Sequence, residues 1–113
     1  MMISKKNAEH YSWGDGCDGW YLMNRKDMLI IHEKMPPGTR EKRHYHASSR
    51  QFFFVLQGVL SMELENEVHD ISAQQGIEIP PHAKHQARNN SDAPVEFIVI
   101  SHPTTRGDRN DLS

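Results

Sequence analysis

The stretch Arg43-His44-Tyr45-His46-Ala47-Ser48-Ser49-Arg50-Gln51-Phe52-Phe53-Phe54-Val55-Leu56-Gln57-Gly58 decides how this chain is read. In an extended strand alternate side chains share a face, with their Cα atoms roughly 6.6–6.8 Å apart. His44 and His46 therefore point the same way and Tyr45 points away. Ala47 to Arg50 leave room for a turn, after which Gln51 opens a second strand. Phe53 shares the parity of Gln51 and is expected to face inward, with Phe52 and Phe54 facing outward. Taken alone, the two histidines fit a polar sheet face as well as a ligand pair.

Working outward, the same short-strand pattern continues in both directions. Trp20 to Asn24 and Met28 to Met35 read as strands joined by a turn at Asn24 to Asp27, and Pro36-Pro37-Gly38 ends the second. Beyond Gly58, Val59 to Glu65 reads as a strand in which Met62 and Leu64 alternate with Glu63 and Glu65, and Glu65-Asn66 is the expected hairpin turn into Glu67 to Ile71. Gly76 to Ile79, His85 to Asn89 and Val95 to Ser101 complete the set. No segment of helical length carries an apolar stripe. Many short strands with Gly and Pro punctuation imply an all-β sandwich or barrel in a single domain. The expected organisation is an N-terminal arm over 1–18 with one short strand, a β-barrel over 19–103, and a polar tail over 104–113.

Composition narrows the function. The chain has 113 residues with 13 basic and 15 acidic side chains, and nucleic-acid binding normally needs a basic surplus on one face. Cys17 is the single cysteine, so no internal disulfide is available. The apolar runs Met28 to Ile31 and Phe52 to Leu56 fall far short of the roughly 20 residues of a membrane helix, and residues 1–10 lack the apolar centre of a signal peptide. A soluble, cytoplasmic protein with neither nucleic-acid nor membrane partners is expected.

Eight histidines are many for this length. His85 lies far along the chain after Pro80-Pro81, on another strand. A barrel that brings His44, His46, Gln51 and His85 together offers three imidazole nitrogens and one amide oxygen. Imidazole suits zinc, iron, copper and nickel better than the hard ions calcium and magnesium.

Two motifs then resemble a known family. Gly38-x5-His44-x-His46-x4-Gln51-x6-Gly58 is similar to the first motif of the cupin superfamily, and Pro80-Pro81-His82-x2-His85-x3-Asn89 to the second. The chain departs from the family pattern in having Gln51 for its glutamate and His82 for a glycine. Taking Gly76 as a further family glycine makes the gap before Pro80 irregular, while aligning Gln74 there restores the usual gap and loses the glycine. The resemblance implies a jelly-roll barrel (a double-stranded β-helix). Its site would lie inside one open end, with His44, His46, Gln51 and His85 holding a divalent transition metal such as zinc, nickel, iron or manganese. It also implies a homodimer paired through sheets or exchanged N-terminal strands.

A ligand set with glutamine resembles that of small cupins that open and ketonise unsaturated uronates. It implies Lewis-acid chemistry on a small, anionic, carbonyl-bearing substrate, such as sugar-acid isomerisation or ring opening. The candidates for moving a proton are His102 at the end of the last strand, His82 beside the distal histidine, and Glu96. Arg106 is a candidate for binding a substrate carboxylate, and Trp20, Tyr21, Met23 and Met35 for lining the pocket. His10, His32 and His69 are expected at the surface. An iron-dependent dioxygenase and a barrel that binds a small ligand without turnover are the alternatives. Oxygen uptake would mark the first, and an unchanged ligand after long incubation the second.

Overall fold

A computed structural model describes residues 1–112. It has eleven strands and, among the described residues, no helix: β1 (Glu9–Trp13), β2 (Cys17–Asn24), β3 (Leu29–Met35), β4 (His44–Tyr45), β5 (Arg50–Gln57), β6 (Val59–Leu64), β7 (Glu67–Ser72), β8 (Gly76–Ile79), β9 (His85–Arg88), β10 (Val95–His102) and β11 (Asn110–Asp111). The all-β class is thus the one the strand pattern implies, and the jelly roll the one the resemblance implies. The strands make two antiparallel sheets, of order β1-β2-β3-β10-β5-β8 and β11-β4-β9-β6-β7. The first 18 residues carry β1, which pairs along its length with β2. Residues 110–111 pair with β4, beside the first two ligand candidates.

Strand alternation builds the core between the sheets. On the larger sheet Leu29, Ile31 and Met35 of β3, Phe53 and Val55 of β5, and Val95, Phe97 and Val99 of β10 point inward and are buried. Leu60 and Met62 of β6, Ile71 of β7 and Ala87 of β9 meet them from the smaller sheet. The expected division of the three phenylalanines holds, with Phe53 buried and Phe52 41% exposed on the outer face.

The turns follow local chemistry. Glu65 and Asn66 both have positive φ, 48° and 73°, the conformation that suits a two-residue turn to the right-handed twist of the flanking strands. His82 and Gln74 have φ of 70° and 69°. Both stand where the related motifs carry glycine, the residue that reaches this region without steric cost. At both positions a non-glycine residue thus holds a backbone conformation that favours glycine. Gly58, at φ 84°, passes the chain from one sheet to the other, and a Cβ there would lie 2.5 Å from the carbonyl oxygen of Pro94.

Candidate metal centre

The site is assembled from both sheets at one end of the barrel. His44 on β4 is the direct cross-strand partner of His85 on β9, and His46 follows on the same face. Their ring centroids lie 4.4 Å (His44–His85), 4.9 Å (His44–His46) and 5.6 Å (His46–His85) apart. One ring nitrogen from each can be chosen so that all three lie within 4.8 Å of one another. All three residues are buried, His85 completely.

Each imidazole is held by a main-chain carbonyl. Nδ1 of His44 donates to Lys42 O (2.7 Å), Nδ1 of His46 to Asp108 O (2.8 Å) and Nδ1 of His85 to Ala83 O (2.9 Å). A ring that donates from Nδ1 keeps its lone pair on Nε2 when neutral, the form that binds metals. Burial favours that neutral form. It lowers His44 to about 3, with the neighbouring His85 adding to the effect, lowers His85 to about 4, and pulls His46 down as well.

Gln51 reaches in from the opposite sheet. Its Nε2 donates to Oγ of its cross-strand partner Ser101 at 3.1 Å, leaving Oε1 buried with no hydrogen-bond partner. Nε2 of His85 is buried and unpartnered too. Orphaned buried acceptors are costly. An oxygen and a nitrogen left open in this way, beside two more imidazoles with free Nε2, fit a transition-metal ion bound by three nitrogens and one amide oxygen.

These groups open onto a cavity of about 200 Å³ in which Gln51, His44 and His46 meet Tyr11, Glu33, Glu41, Arg106 and Arg109. Tyr11, Gly19 and Glu33 are consecutive partners across β1, β2 and β3. A Cβ on Gly19 would sit 2.2 Å from the Tyr11 ring, so the missing side chain lets the tyrosine lie across β2. Its hydroxyl donates to Glu33 Oε2 at 2.7 Å. Burial raises the Glu33 carboxyl to about 7; burial and the adjacent carboxylate also push Tyr11 well up. Glu41, raised to about 8 by burial, accepts the Ala87 N–H and lies 3.8 Å from Arg109.

The residues expected to move a proton, Glu96, His102 and His82, lie outside this cavity. Glu96 has outward parity on β10 and pairs with Lys5 and His32, each at 2.8 Å. His102, also of outward parity, is exposed and donates from Nδ1 to Asp27 O at 2.6 Å. His82 is exposed in its turn, where its main-chain N–H donates to His46 O. None of the three lines the cavity. Tyr21 and Arg106 do line it, whereas Trp20 packs against the rings of His10 and His32 outside, tilted to one and edge-on to the other, Met35 is core and Met23 is exposed. His32 itself is largely covered rather than exposed. Glu33 was available from the pattern, because Leu29, Ile31 and Met35 mark the inward face of β3 and Glu33 keeps their parity. Arg109 had no such signal, and Tyr11 only its alternation with Trp13.

A two-sheet β-barrel with three inward histidines at its mouth defines the class. A cupin-domain family model matches residues 31–101, and the chain belongs to that family. Polyketide synthase CurC of Streptomyces cyaneus is 36% identical over 69 residues, covering 61% of this chain and 45% of CurC. The chain spans about half the length of the curated relatives it matches, from 45% to 55%. Among solved structures, KdgF from Halomonas sp. superposes with a TM-score of 0.83 at 20% identity, covering 92% of this chain and 94% of KdgF. The polyketide cyclase RemF from Streptomyces resistomycificus gives 0.84 at 12% identity, covering 100% and 85%. At these identities the likeness to both structures is one of fold. No helix among the described residues is long and apolar enough to cross a membrane.

Proposed function

We propose that this cupin is a metal-dependent enzyme that isomerises or ring-opens a small carboxylated, carbonyl-bearing substrate, with His44, His46, His85 and Gln51 as the ligands. The observation that carries this reading is the pair of orphaned acceptors, Gln51 Oε1 and His85 Nε2, beside two histidines in the same tautomer. A divalent ion held by four neutral ligands keeps its full charge and supplies Lewis-acid polarisation of a substrate oxygen. Arg106 and Arg109 offer guanidinium groups to a substrate carboxylate at the cavity wall. Glu33, poised near neutrality beside Tyr11, is suited to carry the proton. On an unsaturated uronate it would take the proton of the anomeric hydroxyl as the ring C–O bond breaks. It would then return a proton to carbon as the enol becomes a ketone, with no net gain or loss of electrons. A homodimer formed through the outer face of the larger sheet belongs to the same reading.

The names of CurC and RemF favour a second reading, cyclisation of a polyketide chain. The cavity of about 200 Å³ is below the roughly 300–1,000 Å³ usual for drug-sized ligands, which supports the smaller substrate. The test is to load the protein separately with zinc, nickel, iron and manganese and to follow unsaturated uronates and a short β-polyketone by NMR. Ring opening and ketonisation of a uronate, absent in His46→Ala, is the expected outcome. Turnover of the polyketone alone, or of neither, overturns the proposal.

A further inference from the structure

Several of the last ten residues described are bound to the segment from Arg43 to Ser49 that carries His44 and His46. Ser49 Oγ donates to Pro103 O at 2.6 Å. Asn110 and Asp111 pair with Tyr45 and His44, and Leu112 N donates to Arg43 O at 2.8 Å. At the centre of this contact stands Asp108. One carboxylate oxygen accepts the Ala47 N–H (2.9 Å), and the other accepts those of Ser48 (3.0 Å) and Ser49 (2.9 Å). The main-chain carbonyl of the same residue accepts Nδ1–H of His46. Burial works against the ionised carboxylate, but the three N–H groups outweigh it and hold Asp108 below the usual carboxylate range.

Three consecutive N–H groups converging on one carboxylate fix the turn between His46 and Gln51, the two ligands that come from different sheets. A charge-assisted bond of this kind is about twice as strong as a neutral one. His44 and His85 take their carbonyls from residues two positions earlier in the chain, Lys42 and Ala83. His46 takes its carbonyl from 62 residues away, so its tautomer depends on the C-terminal segment being docked. We propose that Asp108 is a positioning residue for the metal centre: its carboxylate holds the ligand loop so that its own carbonyl sets His46 with Nε2 toward the other ligands. This rests on the metal reading above, and extends it by making the polar C-terminal segment part of the site.

The experiment compares the full chain with Asp108→Ala and Asp108→Asn. Imidazole nitrogen NMR of the metal-free proteins should show His44, His46 and His85 all as Nδ1–H tautomers in the parent. In Asp108→Ala, His46 alone should become a mixture, and amide exchange at Ala47, Ser48 and Ser49 should accelerate. Cobalt affinity, measured by chelator competition, should fall by about tenfold or more in Asp108→Ala. Asp108→Asn, which keeps an acceptor oxygen, should fall between the two. A His46 that keeps one tautomer in Asp108→Ala, or a cobalt affinity within about twofold of the parent, overturns the proposal. If the parent binds no cobalt, the metal reading fails, and the tautomer result still decides what Asp108 does to His46.

Discussion

At the scale of single residues, the chemistry turns on where a few polar atoms are left without partners. Gln51 is neutral where related motifs have a carboxylate, and the bond from its Nε2 to Ser101 leaves the amide oxygen, not the nitrogen, without a partner. Glu33 is the other informative residue. Its folded value near 7 lies above the ordinary 4.5, so the folded protein holds this proton more tightly than the unfolded chain. Its contribution to stability is fully present below the unfolded value and is lost as the pH rises through the folded one. Glu33→Gln removes that loss. In metal-stripped protein the variant should gain on the parent between about pH 5 and 8, by up to roughly 3 kcal/mol, measured by urea unfolding at each pH. A constant difference across that range would mean that Glu33 is not held near neutrality.

At the scale of elements, the site depends on how strands enter and leave the two sheets. Gly58 ends β5, which carries Gln51, and starts β6, which pairs with β9 carrying His85. Gly58→Ala should cost about 1–3 kcal/mol from the left-handed backbone, with a further cost from the clash against Pro94. Gly38→Ala has the same backbone strain at φ 77° but open space around it, so urea midpoints should place it clearly above Gly58→Ala. Equal midpoints would show that the contact with Pro94 relaxes freely. The strands themselves were legible: the turn at Glu65-Asn66 and the strand Gly76–Ile79 fall where the sequence pattern puts them, because alternation and turn residues act locally. The short strands β1 and β11 were harder to read. β1 alternates only Tyr11 and Trp13 with polar residues, β11 has no apolar residue, and each pairs with a neighbouring edge.

For the molecule as a whole, the outer face of the larger sheet is the feature left over. Ile30, Ile100 and Phe52 are consecutive partners across β3, β10 and β5, and Ile98 pairs with Phe54 beside them. This apolar row, with Phe52 41% exposed, suits the proposed homodimer. Sedimentation should return about twice the chain mass of 13.1 kDa, and Phe52→Glu should reduce it to one, since an uncompensated charge in an apolar interface is costly. A parent that sediments as a monomer at high concentration would refute this. The sequence by itself determined the longer strands, their inward faces and the strand spacing of His44 and His46, because strand parity and turn chemistry are properties of neighbours along the chain. Only the tertiary structure decided which groups share the cavity. Tyr11 reaches Glu33 because β1 and β2 lie side by side with a glycine between them. Asp108 reaches His46 because the C-terminal segment folds back, and contacts across 62 residues leave no local pattern to read.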